Sequence, residues 1–231
     1  MYLKDYTMPH YNISGKSISV YPSKAPRKPI IYLNTVEDEV VDVLKVIDSV
    51  DFPDFTLVEI CRLDWNHDMS LWETPPISKN DAPCTGGADE YLKILTDGII
   101  PTVEGDLEGS ILWRGLVGYS LAGLFALYAP YRTGAFSRIA SISGSLWFPG
   151  LTDFIMSNDM KAAPEKMYFS LGDKEAKTHN QYLKTVQENT EQIEKFYRAS
   201  GIETCYQLNP GNHFMDVGGR IGAGIEWLLK K

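Results

Sequence analysis

Residues 116–128 carry a pattern that is typical of a reactive serine. The sequence LVGYSLAGLFALY begins as an apolar run, reaches Gly118, places Ser120 two residues later and continues with apolar residues at helical spacing. This order predicts a strand, a sharp turn and a helix, with the serine in a strained conformation that raises its hydroxyl above the sheet edge. Gly118 and Ala122 meet across such a turn and must be small, although glycine is usual at the position of Ala122. The alternative is a buried glycine-serine turn without chemistry.

A serine nucleophile needs a general base, because its hydroxyl is almost wholly protonated at neutral pH. His213 follows a late predicted strand, in the loop 209–213, and a helical pattern begins directly after it. This placement predicts that His213 lies at the same sheet edge as Ser120 and takes its proton, with helix capping as the alternative role. The other three, His10, His67 and His179, are expected to be solvent or loop histidines, with a place at a pocket as the alternative for His67.

The imidazole of the base in turn needs a carboxylate that fixes its tautomer. The segment 171–175, LGDKE, leaves the penultimate predicted strand and offers Asp173 and Glu175. Either acid gives the chain order of serine, acid and histidine that accompanies a serine on such a turn. We favour Glu175, which stands three residues beyond the glycine that ends the strand. Asp173 then suits a turn-forming or helix-capping role.

An oxyanion hole would complete the site, and it requires backbone N–H groups that point at one position. The N–H of Leu121 supplies the first donor, from the start of the helix that follows Ser120. The second donor is expected in the loop after the second predicted strand, at Asn34 or Thr35. The glycine run found in lipases is absent there.

Strands alternate with helical patterns along the chain, which predicts an α/β fold with a mostly parallel central sheet and helices on both faces. Such a sheet binds its ligand at the carboxyl ends of the strands, where the candidate side chains fall. An antiparallel edge strand is predicted over 13–21, and two helices are predicted to stop at Pro101 and at Pro130. Further strands are predicted at 30–33, 56–62, 137–143, 166–171 and 204–208, and helices at 36–50, 181–200 and from Phe214 to the end.

Residues 63–88 form a long irregular stretch that is rich in proline and contains two tryptophans. Loops of this length inside a compact domain are usually functional or disordered, and the aromatic residues favour an ordered wall. We expect Trp65, Trp72 and Trp147 to shape the substrate pocket. Packing against the core is the alternative role for each of them.

The composition of the 231 residues argues against several functions. A net charge of −8 leaves no basic footprint for nucleic acid or an anionic membrane, and no apolar run approaches the length of a membrane span. The three cysteines lack metal-type spacing and are predicted to be reduced, with Cys61 and Cys205 buried in strands. Residues 1–6 lack a signal-peptide pattern. These features predict a single-domain, cytoplasmic protein without a metal or a cofactor.

Six stretches that together span most of the chain carry a resemblance to a known family. They read PIIYL at 29–33, GGADEYL at 86–92, GYSLAGLFAL at 118–127, SISGSLW at 141–147, SLGDKE at 170–175 and PGNHF at 210–214. In this order they resemble the putative-esterase family of the α/β-hydrolase superfamily, which includes siderophore trilactone esterases and S-formylglutathione hydrolase. The resemblance implies an α/β-hydrolase fold without a large cap domain, and Ser120, Glu175 and His213 as nucleophile, acid and base. Some siderophore esterases of this group resemble a serine–histidine dyad more than a triad, so the dyad stays an alternative.

The leading functional hypothesis is therefore a serine carboxylesterase that acts on a small-molecule ester. In this mechanism His213 removes the proton of Ser120, the serine attacks the ester carbonyl, and water releases the acyl group. An acyltransferase or a thioesterase that uses the same acyl-enzyme is the alternative among enzymes. A non-catalytic α/β-hydrolase-like binding protein is the alternative from another class.

Overall fold

One sheet of eight strands runs through the structure, a computed structural model that describes residues 8–36, 39–49, 52–79 and 81–230. Its strands are β1 (His10–Ile13), β2 (Lys16–Tyr21), β3 (Arg27–Asn34), β4 (Thr56–Cys61), β7 (Ser110–Tyr119), β8 (Arg138–Ile142), β9 (Lys166–Gly172) and β10 (Glu203–Asn209), and two short strands, β5 (Glu73–Thr74) and β6 (Cys84–Thr85), form a separate pair. The order across the large sheet is β1, β2, β4, β3, β7, β8, β9, β10. From β4 to β10 every neighbouring pair is parallel. The carboxyl ends of these six strands therefore share one edge.

Helices cover both faces of this sheet. They are α1 (Glu39–Ser49), α2 (Trp65–Asp68), α3 (Ala88–Lys93), α4 (Ile100–Gly105), α5 (Leu121–Arg132), α6 (Leu151–Ser157), α7 (Val186–Ala199) and α8 (Val217–Leu229), with a π-helical turn at Ile94–Ile99 and a 3-10 turn at Leu183–Thr185. Helices α1 and α8 pack on one face, and α3, α5 and α7 pack on the other. The mostly parallel α/β architecture predicted from the sequence is confirmed.

Alternation along the central strand β7 explains the two apolar layers. Leu116 belongs to the layer that contains α5, and its neighbour Val117 belongs to the layer that contains α8. Successive side chains of a strand point to opposite faces, so an uninterrupted apolar run is needed when both faces are covered. Each buried leucine or valine side chain contributes roughly 1.5–3 kcal/mol through the hydrophobic effect. The centre of the sheet is thus a rigid base for the loops that leave its carboxyl edge.

The predicted edge strand over 13–21 is wrong in detail, because the structure has a hairpin there. Strands β1 and β2 pair antiparallel around Ser14 and Gly15, whose φ angles are 51° and 79°. Two successive residues with positive φ give a two-residue turn whose twist suits a hairpin. The edge strand is therefore β1, and β2 is an inner strand that pairs with β4.

The two prolines that were expected to end helices lie inside helical segments. Pro101 is the second residue of α4, which begins directly after the π-helical turn. Because the wider turn changes the hydrogen-bond register, the missing proline N–H is tolerated there. Pro130 lies in the last turn of α5, and its carbonyl accepts the N–H groups of Lys161 and Ala162. These contacts satisfy a helix-end carbonyl that would otherwise lack a partner.

The ends of some helices and the burial of some side chains differ from the sequence predictions. The predicted helix 36–50 corresponds to α1, while residues 37, 38 and 50, and the N-terminal residues 1–7, lie outside the described residues. The closing helix begins at Val217 and not at Phe214, which is 84% exposed. Cys61 and Cys205 form no disulfide, and they are half-buried where full burial was expected. In the part of the chain that the structure describes, no helix has the length and apolar character that crossing a membrane requires.

Candidate active site

Ser120 occupies the single residue between the end of β7 and the start of α5. Its φ and ψ angles are 57° and −122°, a conformation that costs a residue with a side chain about 1–3 kcal/mol. Backbone contacts hold it there. The N–H of Ser120 donates to the Ile142 carbonyl at 3.1 Å, and the Ser120 carbonyl accepts the N–H groups of Ser145 and Gly123 at 3.0 Å each. The structure thus has the strained turn that the sequence pattern predicts.

The two small residues beside the serine meet as the pattern requires. A Cβ atom added at Gly118 would lie 2.2 Å from the carbonyl oxygen of Ala122 and 2.7 Å from its Cβ. No real side chain tolerates these distances, so position 118 must be glycine. The methyl group of Ala122 is accommodated because the residue that faces it has no side chain.

Ser120, His213 and Glu175 come together at the carboxyl edge of the sheet. The Oγ atom of Ser120 lies 3.1 Å from Nε2 of His213, and Nδ1 of His213 lies 2.6 Å from Oε2 of Glu175. Ser120 follows β7, Glu175 follows β9 and His213 follows β10, so the parallel strands deliver all three to one place. The arrangement has the order and contacts of a hydrolytic triad.

The environment of Glu175 keeps its carboxylate ionised. Burial acts to raise the pKa of Glu175, but hydrogen bonds from His213, the Gly172 N–H and the Ser143 hydroxyl outweigh it and hold the pKa below its ordinary value. An anionic Glu175 accepts the Nδ1–H of His213. Nε2 of His213 is then left with its lone pair toward Ser120, which is the tautomer that a general base needs.

Asp173, the other candidate acid, lies apart from the imidazole. Its Oδ1 atom accepts the N–H of Gly211 at 2.8 Å, and its own N–H donates to the Asn209 carbonyl at 2.8 Å. Both contacts fix the loop 209–213 that carries His213. The structure therefore places Glu175 against the histidine and Asp173 against the histidine's loop.

Arg220, on α8, is a residue of the site that the sequence analysis missed. Its guanidinium is buried, and Nη1 donates to Oε1 of Glu175 at 3.1 Å and to the Ser143 hydroxyl at 3.0 Å. Its Nη2 atom donates to the carbonyls of Pro210 and Asn212 at 3.0 and 3.1 Å. The guanidinium of Arg220 thus connects Glu175 with the loop that carries His213. The sequence signal that could have identified Arg220 is its position as a single charged residue in the otherwise apolar stretch 217–225.

Tyr119 completes this support from the end of β7. Its hydroxyl donates to the His213 carbonyl at 2.7 Å and accepts from Nη1 of Arg220 at 3.2 Å. The ring of Tyr119 also packs on the imidazole, with 5.3 Å between the ring centroids. Tyr119 therefore contacts His213 through both its hydroxyl and its ring.

A cavity of about 400 Å³ opens beside Ser120. Trp65 and Trp147 contribute to its walls, as expected, together with Leu121 and Ser145. Trp72 does not line it: its indole N–H donates to the Pro149 carbonyl at 3.0 Å, and its ring packs on Phe148 and Phe154. His67 also stays out of the lining, with Nδ1 2.7 Å from the Thr85 hydroxyl.

Of the residues expected to supply oxyanion donors, Leu121 borders the cavity and Thr35 does not. Leu121 is the first residue of α5, so its N–H has no partner within the helix, and it borders the cavity. The N–H of Thr35 donates to the Ile60 carbonyl at 3.0 Å, so the expectation for Thr35 is wrong. The pairing of β3 with β4 extends one residue beyond the strand and uses this donor. Asn34 is 1% exposed, and its Oδ1 atom accepts the Tyr91 hydroxyl.

Comparisons with known proteins agree with this geometry. The model of a family described as "Putative esterase" matches residues 40–213. The uncharacterized protein YbbA of Bacillus subtilis (strain 168) is 23% identical over 187 residues, which covers 78% of this chain and 75% of that protein.

Two solved structures show the same fold. The siderophore hydrolase EstA from Aspergillus nidulans is 20% identical, with a TM-score of 0.76, over 96% of this chain and 93% of that chain. An IroE-like serine hydrolase from Shewanella oneidensis is 18% identical, with a TM-score of 0.81, over 97% of this chain and 80% of that chain. At these identities the likeness shows the fold alone, which is of the α/β-hydrolase type.

We predict that Arg220→Met and Arg220→Lys separate the charge of the guanidinium from its geometry. Lysine keeps the charge but cannot reach the acid and two carbonyls at once, so kcat/KM on a p-nitrophenyl ester falls about tenfold with an unchanged pH profile. Methionine also removes the cation beside Glu175 and His213. The loss is then about 10²-fold, because Glu175 becomes a buried carboxylate without its paired charge.

Arg198→Met on α7 is the matched control, because its guanidinium is mostly exposed and pairs with Glu194 on its own helix. We expect it to leave both the rate and the profile unchanged. A wild-type rate for Arg220→Met would contradict the assigned role.

The depressed pKa of Glu175 predicts a pH-dependent share of stability. Its folded-state pKa lies below the ordinary value of 4.5, so the ionised carboxylate stabilises the folded state above about pH 4.5 and this contribution is lost as the pH falls. Urea unfolding of the wild type and of Glu175→Gln at a series of pH values measures this contribution. The wild type's advantage in free energy of unfolding should shrink as the pH falls below about 4.5, and a constant difference would refute the prediction.

Proposed function

The chain belongs to the Putative esterase family and is a carboxylic ester hydrolase, and we propose that it cleaves its ester through an acyl-enzyme on Ser120. The observation that carries this proposal is the unbroken line of contacts from Ser120 Oγ to His213 Nε2, 3.1 Å, and from His213 Nδ1 to Glu175 Oε2, 2.6 Å. These lengths are those of a nucleophile, a base and an orienting acid. The backbone strain at Ser120 supports the same role.

The first half of the proposed reaction acylates the serine. Nε2 of His213 takes the proton of Ser120 while Oγ forms a bond to the ester carbon, and the carbonyl electron pair moves to its oxygen. The N–H of Leu121 stabilises that negative charge. When the tetrahedral adduct collapses, the bond to the alcohol oxygen breaks and His213 gives its proton to the departing alcohol. Glu175 stays ionised and stabilises the imidazolium.

The second half releases the acid. A water molecule gives a proton to Nε2 of His213 while its oxygen forms a bond to the acyl carbon, and the carbonyl electron pair moves to its oxygen. When this tetrahedral adduct collapses, the carbonyl double bond forms again and the bond to Ser120 Oγ breaks. His213 then protonates Ser120 Oγ, which restores the enzyme. The site is partly open to solvent at both Ser120 and His213, so water has access to the acyl group. We therefore propose hydrolysis rather than acyl transfer or thioester cleavage.

The shape of the site supports a small-molecule ester as substrate. The cavity of about 400 Å³ between Trp65 and Trp147 suits one modest acyl or alcohol group, with aromatic walls and a few polar atoms. Two of the similar structures are described as siderophore hydrolases, from Aspergillus nidulans. Siderophore-type lactones are therefore the first natural esters to assay, beside short synthetic acyl esters.

We predict that a fluorophosphonate probe labels Ser120 and that labelling depends on its base. Ser120→Ala should abolish labelling and lower kcat by about 10³-fold or more, and His213→Ala should do the same, because the nucleophile and its base act as a unit. Peptide mapping of the adduct identifies the modified residue, and hydrolysis of a p-nitrophenyl ester gives the rates.

Ser157→Ala, at the exposed end of α6, is the matched serine control and should keep the wild-type rate. The proposal fails if folded wild-type protein hydrolyses esters while Ser120→Ala does so equally well, or if the adduct maps to another residue.

A further inference from the structure

A second hydroxyl stands beside the nucleophile, and the reaction as described does not use it. Oγ of Ser145 lies 3.4 Å from Oγ of Ser120, is almost wholly buried and borders the same cavity. We propose that the Ser145 hydroxyl is a catalytic donor of the oxyanion hole, acting together with the N–H of Leu121. This inference rests on the proposed function of Ser120.

The position of Ser145 is fixed by the elbow itself. Ser145 follows β8, and its N–H donates to the Ser120 carbonyl at 3.0 Å, while its own carbonyl accepts the N–H of Phe148 at 3.0 Å. These bonds attach the loop after β8 to the turn that carries the nucleophile. A side chain held in this way is preorganised, so it does not have to be ordered when charge develops.

The direction of the hydrogen bond between the two serines follows from the histidine tautomer. Because Glu175 takes the Nδ1–H of His213, Nε2 accepts the proton of Ser120. Ser120 cannot donate that proton to Ser145 as well, so Ser145 is the donor of the pair. Within the described residues Ser120 is the one hydrogen-bond partner of the Ser145 hydroxyl, which leaves this donor free to follow the charge as it forms.

A separation of 3.4 Å is long for a hydrogen bond between hydroxyls, so this contact stabilises the resting enzyme little. When the Ser120 Oγ–carbon bond forms and the carbonyl pair moves to oxygen, that oxygen carries a negative charge next to Oγ. A hydroxyl that donates to an anion forms a shorter and stronger bond than one that donates to a neutral group. The Ser145 proton is shared in this bond and not transferred. An interaction that strengthens in the transition state raises kcat.

Two other candidates for a second donor are occupied or lie outside the cavity. The N–H of Thr35 is bound to the Ile60 carbonyl, and Asn34 is 1% exposed and does not line the cavity. Leu121 and Ser145 both border the cavity, whereas His213 is not among the residues that line it. An ester carbonyl that enters from the cavity would therefore present its oxygen to Leu121 and Ser145.

The test compares Ser145→Ala with Ser141→Ala in the full-length protein. Ser141, at the end of β8, is also buried, and its hydroxyl has no hydrogen-bond partner within the described residues, so it matches the change without touching the nucleophile. The readouts are kcat and KM on a p-nitrophenyl ester, and the affinity for a trifluoromethyl ketone, which adds to a nucleophilic serine to give a tetrahedral oxyanion.

For Ser145→Ala we expect kcat to fall about 10²-fold, with a similar loss of affinity for the trifluoromethyl ketone and little change in KM. Ser141→Ala should resemble the wild type in all three quantities. Ser145→Cys, which keeps the size but offers only a weak donor, should lose nearly as much as Ser145→Ala and serves if the alanine variant does not fold.

A wild-type kcat in Ser145→Ala, or a loss of rate without a matching loss of affinity for the ketone, would overturn the role of Ser145 and leave the proposed function standing. Absence of Ser120-dependent hydrolysis in the wild type would overturn both. The two failures are distinguished by the Ser120→Ala variant measured in the same series.

Discussion

The strained backbone at Ser120 is the constraint on which the rest of the structure depends. A residue with φ of 57° stays in place only where its surroundings hold it, and here strands β7 and β8 and helix α5 do so. The absence of a side chain at Gly118 follows from the same turn, because α5 must begin almost in contact with the end of β7. The position of Ser145 depends on the same turn, because its N–H binds the Ser120 carbonyl. The sheet and the elbow helix together place one hydroxyl at the carboxyl edge.

A buried pair of charges supports the other half of the site. Arg220 and Glu175 are both almost wholly buried, and each would be costly alone, so each depends on the other and on the surrounding hydrogen bonds. This arrangement couples the closing helix α8 to the chemistry of the loop ends. It also explains why Glu175 can stay ionised in a buried place and fix the tautomer of His213. Helix α8 therefore supports the candidate site as well as the core.

The parts of this site that have local sequence signals could be predicted, and those that depend on three-dimensional packing could not. Ser120 and His213 were identifiable because each directly follows a predicted strand, and parallel strands bring such positions to one edge. The role of Thr35 was misjudged because the pairing of β3 with β4 continues past the apolar run. Arg220 was missed because a helical pattern shows which face is buried but not which loops that face meets. The preference for Glu175 over Asp173 rested on its spacing from Gly172, and in the structure Oε2 of Glu175 lies 2.6 Å from Nδ1 of His213.

The most direct test of the account is to trap the acyl-enzyme. Wild-type protein mixed with excess p-nitrophenyl ester and quenched in acid within the first turnovers should carry one acyl group, and peptide sequencing should place it on Ser120. A burst of p-nitrophenol equal to the enzyme concentration should accompany it if release of the acyl group is the slower half. An acyl group on another residue, or hydrolysis by Ser120→Ala at the wild-type rate, would contradict the central claim.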